Sequence, residues 1–459
     1  MAAMRLSKYF KLLPIISIFL LQACKKENPS SLTPTPTPIP TPTPAIPPCT
    51  TTLSPALGAE IKSGSVITLS WNAASGATYY DVYLGITNSP STIISSNVTA
   101  TSISYTVPAA VSSTYYWYVQ PKNSAGSATG CQSSVSSFSA IVIQAPPAFG
   151  FYVVGYFPNY RNLADVPDVK FRMCNVVNYA FFNVNSSGTL TVNNAALVPQ
   201  VITKAKTNNA KVFVSINDGA AGNFKNMAAT SIGRNNFIKD VMNNVRLFGF
   251  DGVDIDWEFP NTADGTDITF AELIRELSDS LHRDAKYYLS VAITSGKYAG
   301  IYRDAIKTEV FSYADIFNVM AYDDFNTTVM YKQHSDYPLA VTALNYWLTT
   351  RGMPKEKCVL GFPAYGRPSG ITQSSTVISY RTIITTYGGS SQSDSAVITG
   401  NPSYPASYTV YYNGQPTVKL KTILAKQRAN GVMMWEKWND APDANSLLKA
   451  ACDTIGRVY

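Results

Sequence analysis

From residue 152 to the C-terminus the chain alternates short apolar runs with stretches of helical periodicity, and it does so eight times. The runs are Tyr152 to Phe157, Val176 to Asn183, Lys211 to Ile216, Gly252 to Glu258, Tyr288 to Thr294, Ile316 to Tyr322, Cys358 to Pro363 and Gly431 to Glu436. Between them apolar residues recur three and four apart, as in Phe237, Val241, Val245, Phe248 and in Phe270, Leu273, Ile274, Leu277, Leu281. That spacing predicts helices with one apolar face. Eight strand and helix units predict an α/β fold closed into a TIM (β/α)8 barrel over residues 150 to 459, with a doubly wound open sheet as the alternative. The long interruption Arg367 to Val418, with strand-like pieces such as Tyr408 to Tyr412, reads as a small insertion between strands seven and eight, beside the cleft.

The chain ahead of the barrel divides into three parts. Residues 49 to 145 carry short alternating segments such as Val66-Ile67-Thr68-Leu69-Ser70-Trp71 and Tyr115-Tyr116-Trp117-Tyr118-Val119, separated by Gly, Ser and Pro. They predict an all-β sandwich with Trp71 in its core. Residues 24 to 48 hold the Thr-Pro alternation of a stalk, which favours extended polyproline-like backbone. In residues 1 to 23, Arg5, Lys8 and Lys11 precede the apolar run Leu12 to Leu21, too short to span a bilayer and typical of an export signal. The formal charge of +7 falls to +4 without those three basic residues, a balance that implies no nucleic-acid partner. Cys49 and Cys131 bracket the sandwich and form a candidate disulfide in an exported chain. Cys174, Cys358 and Cys452 lack metal-type spacing and only His282 and His334 supplement them, so no metal or cofactor is expected.

The chemistry concentrates in Phe250-Asp251-Gly252-Val253-Asp254-Ile255-Asp256-Trp257-Glu258-Phe259-Pro260. On a strand, Asp254, Asp256 and Glu258 project to one side and Val253, Ile255 and Trp257 to the other. A solvated edge strand conflicts with the apolar opposite face, while a hard-cation site built from the same oxygens stays open. Clustered carboxylates raise one another's pKa, so one of them is kept as an acid. Glu258, nearest the C-terminal end of the strand, is placed to protonate a leaving oxygen, with Asp256 and Asp254 behind it.

This segment is similar to the Asp-x-x-Asp-x-Asp-x-Glu signature of family-18 glycoside hydrolases, the chitinase family. Met320-Ala321-Tyr322-Asp323, Leu360-Gly361-Phe362-Pro363-Ala364-Tyr365-Gly366-Arg367 and Gly431-Val432-Met433-Met434-Trp435-Glu436 resemble the family at the sixth, seventh and eighth strands. Val154-Gly155-Tyr156-Phe157 and Asn178-Tyr179-Ala180-Phe181 resemble its first two. The resemblance implies substrate-assisted, retaining hydrolysis of β-1,4 N-acetylglucosamine linkages. It assigns Glu258 as acid and base, and Asp256 and Tyr322 as holders of the acetamide. Trp435 would floor the sugar site and Tyr156, Phe181, Met320, Asp323, Tyr365 and Arg367 would line it. The implied partners are chitin or chitooligosaccharides, and a monomer is expected. The rivals are an endo-β-N-acetylglucosaminidase acting on N-glycans and a chitin-binding lectin on a dead barrel. Two departures stand out: Ser215-Ile216-Asn217-Asp218-Gly219 replaces the usual Ser-x-Gly-Gly with its following Trp, and no Trp follows Tyr322-Asp323. Residues 49 to 145 resemble a fibronectin type III module. Leu21-Gln22-Ala23-Cys24 resembles a bacterial lipobox, which implies lipidation at Cys24 and an outer-membrane or cell-surface lipoprotein, a plain secreted protein being the alternative.

Overall fold

The structure, a computed structural model, describes residues 43–325, 332–368, 377–403 and 406–459. The export signal, Cys24 and most of the Thr/Pro stalk lie outside the described residues. No helix among the described residues is long and apolar enough to cross a membrane.

The N-terminal segment folds into two β-sheets that share one core. Thr52–Ser54, Val66–Trp71 and Ser102–Thr106 form the smaller sheet, in which Val66–Trp71 is central. The larger runs in the order Ala59–Lys62, Ser136–Ile141, Ser113–Asn123, Tyr79–Gly85, Ile93–Val98. Period-two alternation turns Leu69 and Trp71 of the small sheet toward Val82, Trp117 and Phe138 of the large one, and all five are buried. Cys49 and Cys131 are joined in a disulfide.

Residues 152 onward form a closed barrel of eight parallel strands: β1 Tyr152–Pro158, β2 Val176–Val184, β3 Lys211–Asn217, β4 Gly252–Asp256, β5 Tyr288–Thr294, β6 Ile316–Met320, β7 Cys358–Pro363 and β8 Gly431–Trp435. Closure is through β1, which pairs with both β2 and β8. Each strand is buried on both faces. Residues such as Tyr152, Phe213, Tyr288, Ile316, Val359 and Met433 fill the interior, and the alternate residues pack outward under the helices. The helix Ser231–Phe248 starts where Thr230 accepts the Gly233 N–H and stops at Gly249, whose φ of 77° suits glycine. It buries Phe237, Val241 and Val245. The next helix, Thr266–Leu281, buries Phe270, Leu273, Ile274, Leu277 and Leu281, each worth roughly 1.5–3 kcal/mol relative to exposure. Most strand ends fall within one residue of the sequence expectation, and two stop two residues short of it. β4 stops at Asp256 and β6 at Met320, so Glu258 and Tyr322 lie on the chain just past the last ladder bonds, at the barrel mouth.

The insertion after β7 begins at Tyr365 and forms a small antiparallel sheet, ordered Ile378–Ser379, Tyr365–Pro368, Tyr408–Tyr411, Ser395–Ile398. At the opposite end of the barrel, Phe149 packs edge-on against Tyr152 and Tyr288, with ring centroids 5.0 and 5.2 Å away. The Tyr288 hydroxyl donates to the Pro147 carbonyl at 2.8 Å. These tyrosines open β1 and β5, so the incoming linker seals the N-terminal end. The sandwich meets the same end through Arg283 and Glu60 (2.6 Å) and Lys62 and Asp279 (3.2 Å), exposed pairs of little individual worth.

Candidate active site

Register explains how β4 holds its acids. Asp254 lies opposite Ser215 on β3 and Ser290 on β5, and both hydroxyls donate to its carboxylate, Ser215 at 2.6 Å. Tyr156 from β1 (2.8 Å) and the Asn318 amide from β6 (3.2 Å) complete four donors from four strands. Burial pushes the Asp254 pKa up and these four bonds pull it back. Asp256, one pleat higher, is also buried but its Oδ1 has no partner among the described residues. Burial, then the neighbouring charges of Glu258 and Asp254, drive its pKa well above the carboxylate range.

Glu258 is open to solvent along the cavity it edges, yet it sits low between the loops, and burial together with the Asp323 charge raises its pKa. Asp323 follows β6 with a φ of 61°. Alternation along the first strand of the insertion sends both Tyr365 and Arg367 to it: the Tyr365 hydroxyl donates at 2.7 Å, and the Arg367 guanidinium pairs with the same oxygen. Burial would raise the Asp323 pKa, but contacts with His334 and Arg367 hold it well below the ordinary range. The negative charge is therefore fixed on Asp323, whereas burial raises the other three acids, Asp256 well above the carboxylate range.

The cavity above these acids holds about 430 Å³. Its wall contains Tyr156, Phe181, Asp256, Glu258, Met320, Tyr322, Asp323, Tyr365 and Trp435. Trp435, at the end of β8, stacks on Phe181 with centroids 5.6 Å apart and leans on Tyr156 at 5.3 Å. The Tyr322 hydroxyl has Met433 Sδ at 3.8 Å, a weak acceptor, as its partner among the described residues. Burial, then Tyr365 and the Asp256 charge, raise its pKa well above 10 and keep its proton in place. Asp254 lies beneath the cavity. Arg367 departs from the expected lining role: its guanidinium is drawn behind Asp323 and lies over the Phe325 ring at 4.6 Å.

Asn217, Phe259, Ala292, Thr294, Ser295, Tyr298 and Asp324 also line the cavity. Of these, Asn217 and Phe259 fall within segments singled out in the sequence and Asp324 directly follows one, whereas Ser295 and Tyr298, after β5, carry no sequence signal. Asp324 accepts from Lys332 at 2.7 Å and from Lys297 and Tyr298. Among the described residues no group of His, Cys, Asp and Glu is arranged to hold a metal ion. Trp257 points away from the cavity, stacked on Phe224 at 5.0 Å.

Acids ringed by aromatic side chains at the C-terminal mouth of a closed α/β barrel define the class, a barrel glycoside hydrolase. The chain belongs to the Glycosyl hydrolases family 18, whose sequence model matches residues 152–440. It is similar to mouse chitotriosidase-1, 29% identical over 239 residues that cover 45% of this chain and 50% of that protein, and so spans about half the length of that relative. An Arabidopsis thaliana class V chitinase is 26% identical over 316 residues, 59% of this chain and 81% of that one. Among solved structures, a chitinase from Bacteroides thetaiotaomicron superposes with a TM-score of 0.58 at 23% identity, covering 68% of this chain and 99% of that one. A Cycas revoluta class V chitinase mutant in complex with (GlcNAc)3 superposes at 0.57 with 23% identity, covering 66% and 100%. At such identities the structural likeness speaks for the fold.

Proposed function

We propose that the protein hydrolyses β-1,4 linkages of N-acetylglucosamine polymers, chitin or chitooligosaccharides, by substrate-assisted catalysis. The observation that carries this reading is the pairing of an acid whose pKa is raised, Glu258, with two groups that lack a strong partner among the described residues: the buried Asp256 Oδ1 and the Tyr322 hydroxyl. Buried polar groups are ordinarily satisfied. An acetamide supplies what both lack, an N–H for Asp256 and a carbonyl oxygen for Tyr322. With the sugar on Trp435, the acetamide oxygen forms a bond to the anomeric carbon as the glycosidic C–O bond breaks, and Glu258 gives its proton to the departing oxygen. Water then adds to the anomeric carbon of the oxazolinium from the vacated face as its bond to the acetamide oxygen breaks, the water's proton passing to Glu258. Two inversions leave a β-configured reducing end.

Names of the relatives support the substrate class, and the family signature on β4 supports the roles of its acids. The test joins Glu258→Gln with product stereochemistry. The variant is expected to keep its fold and lose roughly 10²–10⁴-fold in hydrolysis. Proton NMR of fresh wild-type hydrolysate should show the β anomer first, and fully deacetylated chitosan should resist cleavage. An initial α product, or comparable rates on deacetylated chains, would transfer the nucleophile's role to a protein carboxylate or to water. Cleavage of a high-mannose glycoprotein in preference to chitin oligosaccharides would favour an endo-β-N-acetylglucosaminidase.

A further inference from the structure

Register sorts the inward side chains of β2, β4, β6 and β8 into layers across the barrel axis. From Asn178 on β2 the ladder leads through Phe213 to Gly252, and the tilt of the strands brings Asp254, two residues on, to the same height. The same step leads from Asp254 to Asn318 on β6, from Asn318 to Met433 on β8, and from Met433 back to Asn178, so the layer closes on itself. Two residues up these strands, Asp256, Met320 and Trp435 line the catalytic cavity. Two residues down, Val176 and Ile316 belong to the apolar filling. The middle layer is polar at three of its four positions, and all four side chains are buried.

Within that layer Asn318 Nδ2 donates to the Asp254 carboxylate and to the Tyr156 hydroxyl, at 3.2 Å each. Three polar atoms have no partner among the described residues: Asn318 Oδ1 and both ends of the Asn178 amide. β2 and β6 stand on opposite sides of the barrel, so the two amides point at the axis from opposite directions. Buried polar groups that find no protein partner are ordinarily bridged by ordered water. Asparagine is short in a barrel interior that bulky branched side chains usually fill, which leaves room on the axis.

We infer that Asn178 and Asn318 hold one or two buried waters on the barrel axis, one layer beneath Asp256, and that through this water Asn178 is a positioning residue for Asp254. One water accepts from Asn178 Nδ2 and donates to Asn318 Oδ1. Asn318 is thereby held with its Nδ2 toward Asp254; turned over, it would set a carbonyl oxygen against the carboxylate. The consequence for catalysis rests on the functional reading above, whereas the water site does not.

The first test is diffraction from crystals of the whole chain. Density is expected about 2.7–3.2 Å from both Asn178 Nδ2 and Asn318 Oδ1. A direct bond between the two amides, or no density between them, overturns the site. The second test uses Asn178→Leu, which keeps the side chain's size and offers neither donor nor acceptor. It should melt below the wild type, because expelling the water leaves Asn318 Oδ1 alone. An equal or higher melting temperature would mean that no water had bridged Asn178, and the site is withdrawn. The titratable groups facing Asp254 are Tyr156 and Asp256. Asn178→Leu should lower kcat on chitotetraose roughly tenfold and move the acid limb of its pH profile upward, since Asp254 loses a donor that favours its charged form. Asn178→Ser, short enough to keep the water, should restore both. If the melting temperature falls and the acid limb stays, the positioning role is withdrawn and the water site stands. Failure of the catalytic reading would show instead as a Glu258→Gln variant that still hydrolyses, and would leave the density unchanged.

Discussion

Asp254 and Asp256 stand two residues apart on one strand, both raised in pKa by burial, and differ in the donors that reach them. Four donors surround the first, whereas the second keeps a buried oxygen that has no partner among the described residues. The consequence is a pH-dependent cost. Because burial and the neighbouring charges of Glu258 and Asp254 hold the folded pKa of Asp256 well above that of an ordinary carboxylate, the folded state favours the proton. Its contribution to stability is complete below about pH 4, where folded and unfolded chains both bind the proton, and is lost as pH rises from there toward the folded value. Asp256→Asn removes that cost. Calorimetry should show the variant melting with the wild type near pH 4 and about 2–4 °C higher near neutrality for each kcal/mol relieved, while hydrolysis is lost. Equal melting temperatures across that range would mean that ionising Asp256 is not penalised, and its assigned role as holder of the acetamide N–H would have to be rebuilt.

At the scale of elements, strand periodicity made β4 legible. Asp254, Asp256 and Glu258 alternate with Val253, Ile255 and Trp257, and the structure turns the two sets to opposite sides. The helical faces of Phe237, Val241, Val245 and of Phe270, Leu273, Ile274 were legible for the same reason. What periodicity does not encode is where a ladder ends and which distant loop a side chain meets. Glu258 and Tyr322 fall just beyond their strands, and Arg367 turns to Asp323 because a second sheet, built from the insertion, fixes its direction. None of the cis peptides Ala180–Phe181, Glu258–Phe259 and Trp435–Glu436 is a bond to proline, so they leave no trace in the sequence. Tyr298 occupies an aperiodic loop. Gly361 on β7 shows how an element shapes the site without touching substrate: a Cβ there would meet the Val319 carbonyl at 2.5 Å and the Tyr322 ring at 2.9 Å. Gly361→Ala is expected to cost about 1–3 kcal/mol in stability by overpacking and to reduce kcat by moving Tyr322. Denaturant unfolding together with turnover on chitotetraose checks both, and a variant of native stability and kcat would show that the two strands yield without disturbing the ring.

At the scale of the whole molecule, the two ends of the barrel have separate tasks. The mouth carries the acids and aromatic rings, and the N-terminal end is closed by Phe149, Tyr152 and Tyr288, with the sandwich joined there through Arg283 and Glu60. Tyrosines of the sandwich, such as the stacked pair Tyr83 and Tyr118, belong to a unit attached at the face opposite the cleft. We propose that the sandwich and the Thr/Pro stalk act as spacers between a lipid on Cys24 and a cleft that faces outward. A stalk in the polyproline conformation extends about 3.1 Å per residue, long enough to keep anchor and barrel apart. Cys24→Ser should therefore move the protein from the membrane fraction to the soluble fraction and leave kcat/KM on a soluble chitooligosaccharide within about twofold, since one thioether-linked anchor makes no contribution to the barrier at Glu258. Release with a loss of more than about tenfold would show that the membrane end and the cleft are coupled after all. Retention of the variant in the membrane fraction would remove Cys24 as the point of attachment and leave the export signal as the only reading of residues 1 to 23.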